Sequence, residues 1–181
     1  MKKRTLTILI AVVLVVACAV GGTLAWLKTQ TTPVVNTFTA GDINITLAET
    51  TNVYKMIPGN DISKDPKVTV KAGSEACWLF VKIEKSTNFY SFMTYTVANG
   101  WTALGDAYPD VYYRSVPAST TNAEFAVLDD NKVTVKDTVT KAMMDEITKG
   151  TANAPTLTFT AYAVQSAGFD TAVEAWGEAS K

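Results

Sequence analysis

Two thiols, one short string of oxygen ligands and no imidazole set the chemistry open to this chain of 181 residues. Without His, the Ser-His-Asp and Cys-His routes to nucleophilic catalysis are closed, as are His-containing zinc sites and imidazole acid–base chemistry near neutrality. The thiols are Cys18 and Cys77. Cys18 lies within a long apolar run. Cys77, in Ala76-Cys77-Trp78-Leu79-Phe80, has no cation beside it in sequence and reads as a small buried hydrophobe in a strand. The oxygen ligands are Asn60, Asp61 and Asp65, within residues 58–66. They suggest calcium, but their spacing departs from the EF-hand loop, which also requires a closing Glu, so solvated turn chemistry is the expectation. No catalytic residue, metal or cofactor is expected. The aromatic set Tyr90, Phe92, Tyr95, Trp101, Tyr108, Tyr112 and Tyr113 could form a carbohydrate or peptide platform, but core and cross-strand pairing is the simpler expectation.

The N-terminus decides where this chemistry operates. Lys2, Lys3 and Arg4 precede an apolar run over residues 5–20, which ends in Gly21-Gly22-Thr23-Leu24-Ala25. A basic start, an apolar middle and a small-residue end make residues 1–25 an export signal, with Thr23 and Ala25 at the positions a signal peptidase reads and Trp26 the first mature residue. The run is shorter than the roughly 20 residues that span a bilayer, although extension through Leu27 approaches that length, so a retained anchor is one alternative. Lipid attachment at Cys18, after Val15-Val16-Ala17, is another. Cleavage after Ala25 removes three of the 16 basic residues and none of the 17 acidic ones, leaving 156 residues of net charge −4. An acidic domain lacks the clustered Lys and Arg that nucleic-acid binding uses to displace counterions, and no such partner is expected. Membrane contact is expected only through the uncleaved signal.

The mature length suits one domain. Thr, Val, Ile, Tyr and Phe gather in short runs broken by Gly, Pro, Asn and Asp, which predicts strands. Ile43, Ile45 and Leu47 alternate with Asp42, Asn44 and Thr46, and Val68 and Val70 with Lys67, Thr69 and Lys71. In residues 77–84, Leu79, Val81 and Ile83 share one face, while Trp78 and Phe80 give way to Lys82 and Glu84 on the other, so this strand starts buried on both faces. Further strands are expected at 90–98, 111–116, 123–128, 132–136 and 156–164, about eight in all. Asp129-Asp130-Asn131 reads as a tight hairpin turn. Residues 138–149, with Val139, Met143 and Ile147 spaced by four, predict a helix ended by Gly150, and Asp170 is placed to cap a second over 171–179. The fold class is mainly β: an antiparallel sandwich with one or two short helices, behind an N-terminal signal helix.

The sequence around the cleavage point resembles a known family. Gly21-Gly22-Thr23-Leu24-Ala25-Trp26-Leu27, then Asn36-Thr37-Phe38-Thr39-Ala40-Gly41-Asp42-Ile43-Asn44-Ile45, resembles the start of TasA/camelysin proteins in order and spacing. Met56-Ile57-Pro58-Gly59, Gly73-Ser74 before the apolar strand, and the stretch from Phe159 to Phe169 with Glu174-Ala175-Trp176 are similar to later family segments. The resemblance implies a jelly-roll-like sandwich over residues 36–181, secreted to the Gram-positive cell surface after cleavage by a SipW-type signal peptidase. It implies a subunit of biofilm matrix fibres, partnered by copies of itself, with an accessory matrix protein as a further partner. Camelysin also carries a metallopeptidase label, but the absence of His argues against an enzyme here.

A fibre needs a joint. Cleavage frees residues 26–35, an extended segment that can add as a strand to an open sheet edge of the next subunit, with Trp26, Leu27, Val34 and Val35 as apolar anchors. Pro33 costs one ladder donor, which an edge strand tolerates. Head-to-tail addition of this kind does not close and so gives a fibre. The competing expectation is a leader wetted by Thr29, Gln30, Thr31 and Thr32 on a monomeric surface-binding module.

Overall fold

A computed structural model describes residues 41–50, 54–149 and 153–181, and within them the chain forms ten strands and three short α-helices. All strand pairs are antiparallel, in three sheets. The first sheet has β1 (Ile45–Ala48), β3 (Lys67–Val70) and β8 (Ala123–Ala126), with β3 in the middle. The second runs β10 (Leu157–Gln165), β4 (Cys77–Lys85), β7 (Val111–Val116) and β6 (Thr102–Ala103). The third places β9 (Lys132–Val135) between β2 (Asp61–Ser63) and β5 (Met93–Thr94). The longest ladder joins β4 to β10, from Cys77 opposite Gln165 to Lys85 opposite Leu157.

Strand β4 organises the interior because both of its faces are apolar where it begins. Cys77, Leu79, Val81 and Ile83 pack with Val68 and Val70 of β3, and with Val116 and Val127. The opposite face sends Phe80 into a second core with Leu104, Val111, Ala172, Ala175 and Trp176. Towards its end Lys82 is half-buried and Glu84 exposed, so one face becomes wet as the sequence pattern requires. Each fully buried Leu, Ile, Val or Phe contributes roughly 1.5–3 kcal/mol by leaving water, which makes this strand the main source of stability. A third core, of Phe89, Phe92, Met93, Leu128, Val133, Val135 and Val139, lies over the third sheet.

Helix α3 (Ala172–Ala179) covers the second core through Ala172, Ala175 and Trp176, an i, i+3, i+4 stripe. Its cap is Thr171 rather than the expected Asp170. The Thr171 hydroxyl accepts from the Glu174 N–H at 3.3 Å, and Glu174 Oε2 accepts from the Thr171 N–H at 3.2 Å, a reciprocal capping box that Asp170 cannot make because it lies one residue too early. Helix α2 (Lys141–Lys149) starts later than predicted, with the Thr140 hydroxyl accepting from Met143 N–H, so buried Val139 precedes it.

Two other expectations change. Residues 90–98 are not one strand: α1 (Phe89–Phe92) comes first, then two-residue β5 and an isolated bridge between Val97 and Leu128. The turn at Ser86–Asn88 starts the helix, and i, i+3 spacing buries Phe89 and Phe92 together, which outweighs their β-propensity. Asp129–Asn131 is not a hairpin turn between β8 and β9, because those strands belong to different sheets. It is a 3-10 turn with φ of 50° at Asp130 and 51° at Asn131, carrying the chain from one sheet to another.

Candidate functional site

The residues expected to be cut, Thr23, Ala25 and Trp26, and the expected joining anchors Trp26, Leu27, Val34 and Val35 lie outside the described residues. What the structure describes is the surface such a segment would meet. An added strand requires an edge, and among the described residues the first sheet ends in β1 and β8.

The β8 edge is occupied. Val97 bridges Leu128, the Ala98 N–H donates to the Val127 carbonyl at 2.9 Å, and the Trp101 indole N–H donates to the Ala126 carbonyl at 2.8 Å. The Arg114 guanidinium lies 3.9 Å from the Phe125 ring centre and 5.2 Å from that of Trp101, fixing both rings by cation–π attraction. Desolvation between them lowers the Arg114 pKa from its usual value. Gly100, at φ 87°, allows this arrangement, since a Cβ there would come within 2.8 Å of Arg114 Nη2.

The β1 edge is different. Ile43 and Ile45 pack inward, but Leu47 is 36% exposed. A cleft of about 280 Å³ lies where this edge approaches β10, the edge of the second sheet, lined by Leu47, Ala48, Glu49, Pro66, Leu157, Thr158 and Phe159, a mixed polar and apolar lining. Among the described residues it lies between two sheet edges, the setting that strand addition requires.

A larger cavity of about 440 Å³ shares Leu157 with the cleft and is walled by Met56, Ile62, Phe89, Met93 and Ile147. Tyr54 and Lys64 also line it. Among the described residues Lys64 is the one buried charged residue, at 8% exposure, and its Nζ lies 2.6 Å from Glu49 Oε1. Its charge is flanked by the rings of Tyr54, 4.8 Å away, and Phe159, 5.4 Å away. The Tyr54 hydroxyl donates to the same Glu49 oxygen at 3.1 Å. Desolvation first, and then that bond and the Glu49 charge, push the Tyr54 pKa up to about 12. Nothing in the residue pattern signalled this trio, because Glu49 and Lys64 both sit in polar stretches that read as loops.

The other sequence candidates are dispersed. Asp61 lies in β2, where it accepts from the Thr134 hydroxyl at 2.6 Å and meets Lys132 at 3.2 Å. Asp65 accepts from the Thr50 N–H at 3.0 Å and from the Thr50 hydroxyl. These bonds lower both carboxyl pKa values. Cys77 is fully buried in β4, and desolvation pushes its thiol pKa up, the opposite of what a nucleophile needs. The aromatic set forms no single platform. Tyr108 and Tyr113 pack around the second core, Tyr95 lies against Phe89, Trp101 covers β8, and Tyr90 is 50% exposed.

A mainly-β module with one covered edge, one cleft between sheet edges and no assembled catalytic group among the described residues is the class defined by this geometry. The family model described as camelysin metallo-endopeptidase matches residues 1–85, ending where β4 ends, so the first part of the chain is similar to that family. No curated protein and no solved structure matches it.

A metallo-endopeptidase family raises a metal, and among the described residues the donor set does not fit one. The chain has no His, the Cys77 thiol is buried, and among the described residues no three His, Cys, Asp or Glu side chains gather. Also among the described residues, no helix is long and apolar enough to cross a membrane.

Proposed function

We propose that this chain is a secreted structural subunit of cell-surface or biofilm matrix fibres, joined head-to-tail by β-strand addition once its leader is removed. The observation that carries the reading is the cleft between the β1 and β10 edges, set against the end of β8 and the two residues after it, which are already bonded to residues 97–101. Residues 26–35 supply the strand: its main chain pairs along an edge, and Trp26, Leu27, Val34 and Val35 supply side chains for the cleft. The likeness of residues 1–85 to the family model supports export, and a SipW-type signal peptidase is the enzyme that would release the segment. The subunit acts without catalysis, in keeping with its donor inventory.

A monomeric surface-binding module is the second reading, favoured by the 440 Å³ cavity. Electron microscopy and size-exclusion chromatography of the processed protein separate the two. Concentration-dependent filaments that disappear when residues 26–35 are deleted are expected; a monomer at every concentration would overturn the fibre reading.

A further inference from the structure

The Lys64–Glu49 pair has the arrangement of a condensation site, and we infer that it closes into an intramolecular amide between Lys64 Nζ and Glu49 Cδ. The inference is independent of fibre assembly. Three observations carry it. The partners touch at 2.6 Å, and their side chains are only 10% and 23% exposed. Two aromatic rings flank the amine, at 4.8 and 5.4 Å, and limit its hydration. A third polar group, the Tyr54 hydroxyl, already donates to the carboxylate that would be attacked.

The step balances without any co-reactant. A proton passes from the ammonium to the carboxylate, the free amine attacks Cδ, the N–C bond forms, and a C–O bond breaks as one water leaves. An ammonium and a carboxylate thereby become one neutral amide, with no oxidation or reduction. Amide formation from separate molecules in water is slow, and well-oriented intramolecular partners reach effective molarities of about 10⁵ M or more, which removes much of that barrier. Conversion also removes two charges from a poorly hydrated place, where an ion pair recovers little of its desolvation cost. Tyr54 is a positioning residue: its O–H holds Glu49 Oε1, the oxygen that takes the Lys64 proton and leaves as water. Its raised pKa keeps that proton in place at neutral pH.

The other well-shielded lysine provides a contrast. Lys85 meets Asp110 beside the Tyr90 ring, but the Asp110 side chain is 42% exposed, so water competes for the carboxyl carbon and the ion pair persists.

Peptide mapping of the full-length chain, exported and folded in a Gram-positive host, tests the inference. The tryptic peptides that contain Glu49 and Lys64 are expected joined, lighter by one water than their sum, with no cleavage after Lys64. Glu49→Ala and Lys64→Met should each abolish the joined species, and Tyr54→Phe should slow its appearance during refolding at least several-fold. Recovery of the two peptides as separate, full-mass species from the folded wild-type chain overturns the inference, as does a joined species at Lys85 instead. These outcomes are read from mass alone and do not depend on whether filaments form.

Discussion

The two edges of the first sheet solve the same problem in opposite ways. An unpaired strand edge invites any passing chain, and proteins normally cover it, shorten it or charge it. At β8 the chain covers it with its own residues 97–101 and holds the cover with Trp101, Arg114 and Phe125. At β1 it leaves Leu47 36% exposed beside a cleft lined by both polar and apolar groups. Among the described residues this sheet is thus covered on one side and more open on the other, the kind of asymmetry a linear polymer needs.

Breaking the closed edge should have the largest effect. Trp101→Ala removes a partly buried indole and the N–H that satisfies the Ala126 carbonyl, and a loss of about 2–4 kcal/mol in urea unfolding is expected, with irregular aggregates replacing filaments. Gly100→Ala attacks the same cover from behind. The left-handed backbone and the approach to Arg114 should together cost about 1–2 kcal/mol or somewhat more, and a melt of the variant against wild type measures it.

The floor beside the open edge is sensitive to alkali. The folded chain holds the Tyr54 proton more tightly than an unfolded one does, so this contribution is complete below pH 10 and is lost as the pH rises through about 12. Urea midpoints across that window should decline less steeply in Tyr54→Phe; equal slopes would remove Tyr54 from the account. The smallest effect on folding belongs to the open edge itself. Leu47→Lys should change stability by no more than about 0.5 kcal/mol while abolishing filaments, because a charge there disfavours an incoming strand more than it disturbs the fold. Filaments from this variant would place the joint elsewhere.

Much of the fold was legible because the core writes itself into long alternating runs. Strands β3, β4, β7, β8, β9 and β10 fall where Val, Leu, Ile and aromatic residues recur at period two, and the shift of β4 from two buried faces to one was readable from Lys82 and Glu84. Strands β2, β5 and β6, of two or three residues, are too short to carry a period, and tertiary pairing alone defines them. The same limit hid α1, whose Phe89 and Phe92 look like strand residues until their shared core is seen. Of the joining surface, the sequence named an incoming segment but no edge. Edge status is a property of sheet order, set by the long crossings between sheets, and no local spacing records it. The Lys64–Glu49 contact was invisible for a related reason: it unites the ends of two polar stretches that only the fold brings together.

The burial of Cys77 makes the chain its own stopwatch. Among the described residues this sulfur is the one thiol, sealed in a strand that serves two of the three cores. A maleimide in the surrounding medium finds nothing to modify until β4 opens, so labelling kinetics record how often the molecule breathes to its centre, in a lone subunit or inside a filament alike.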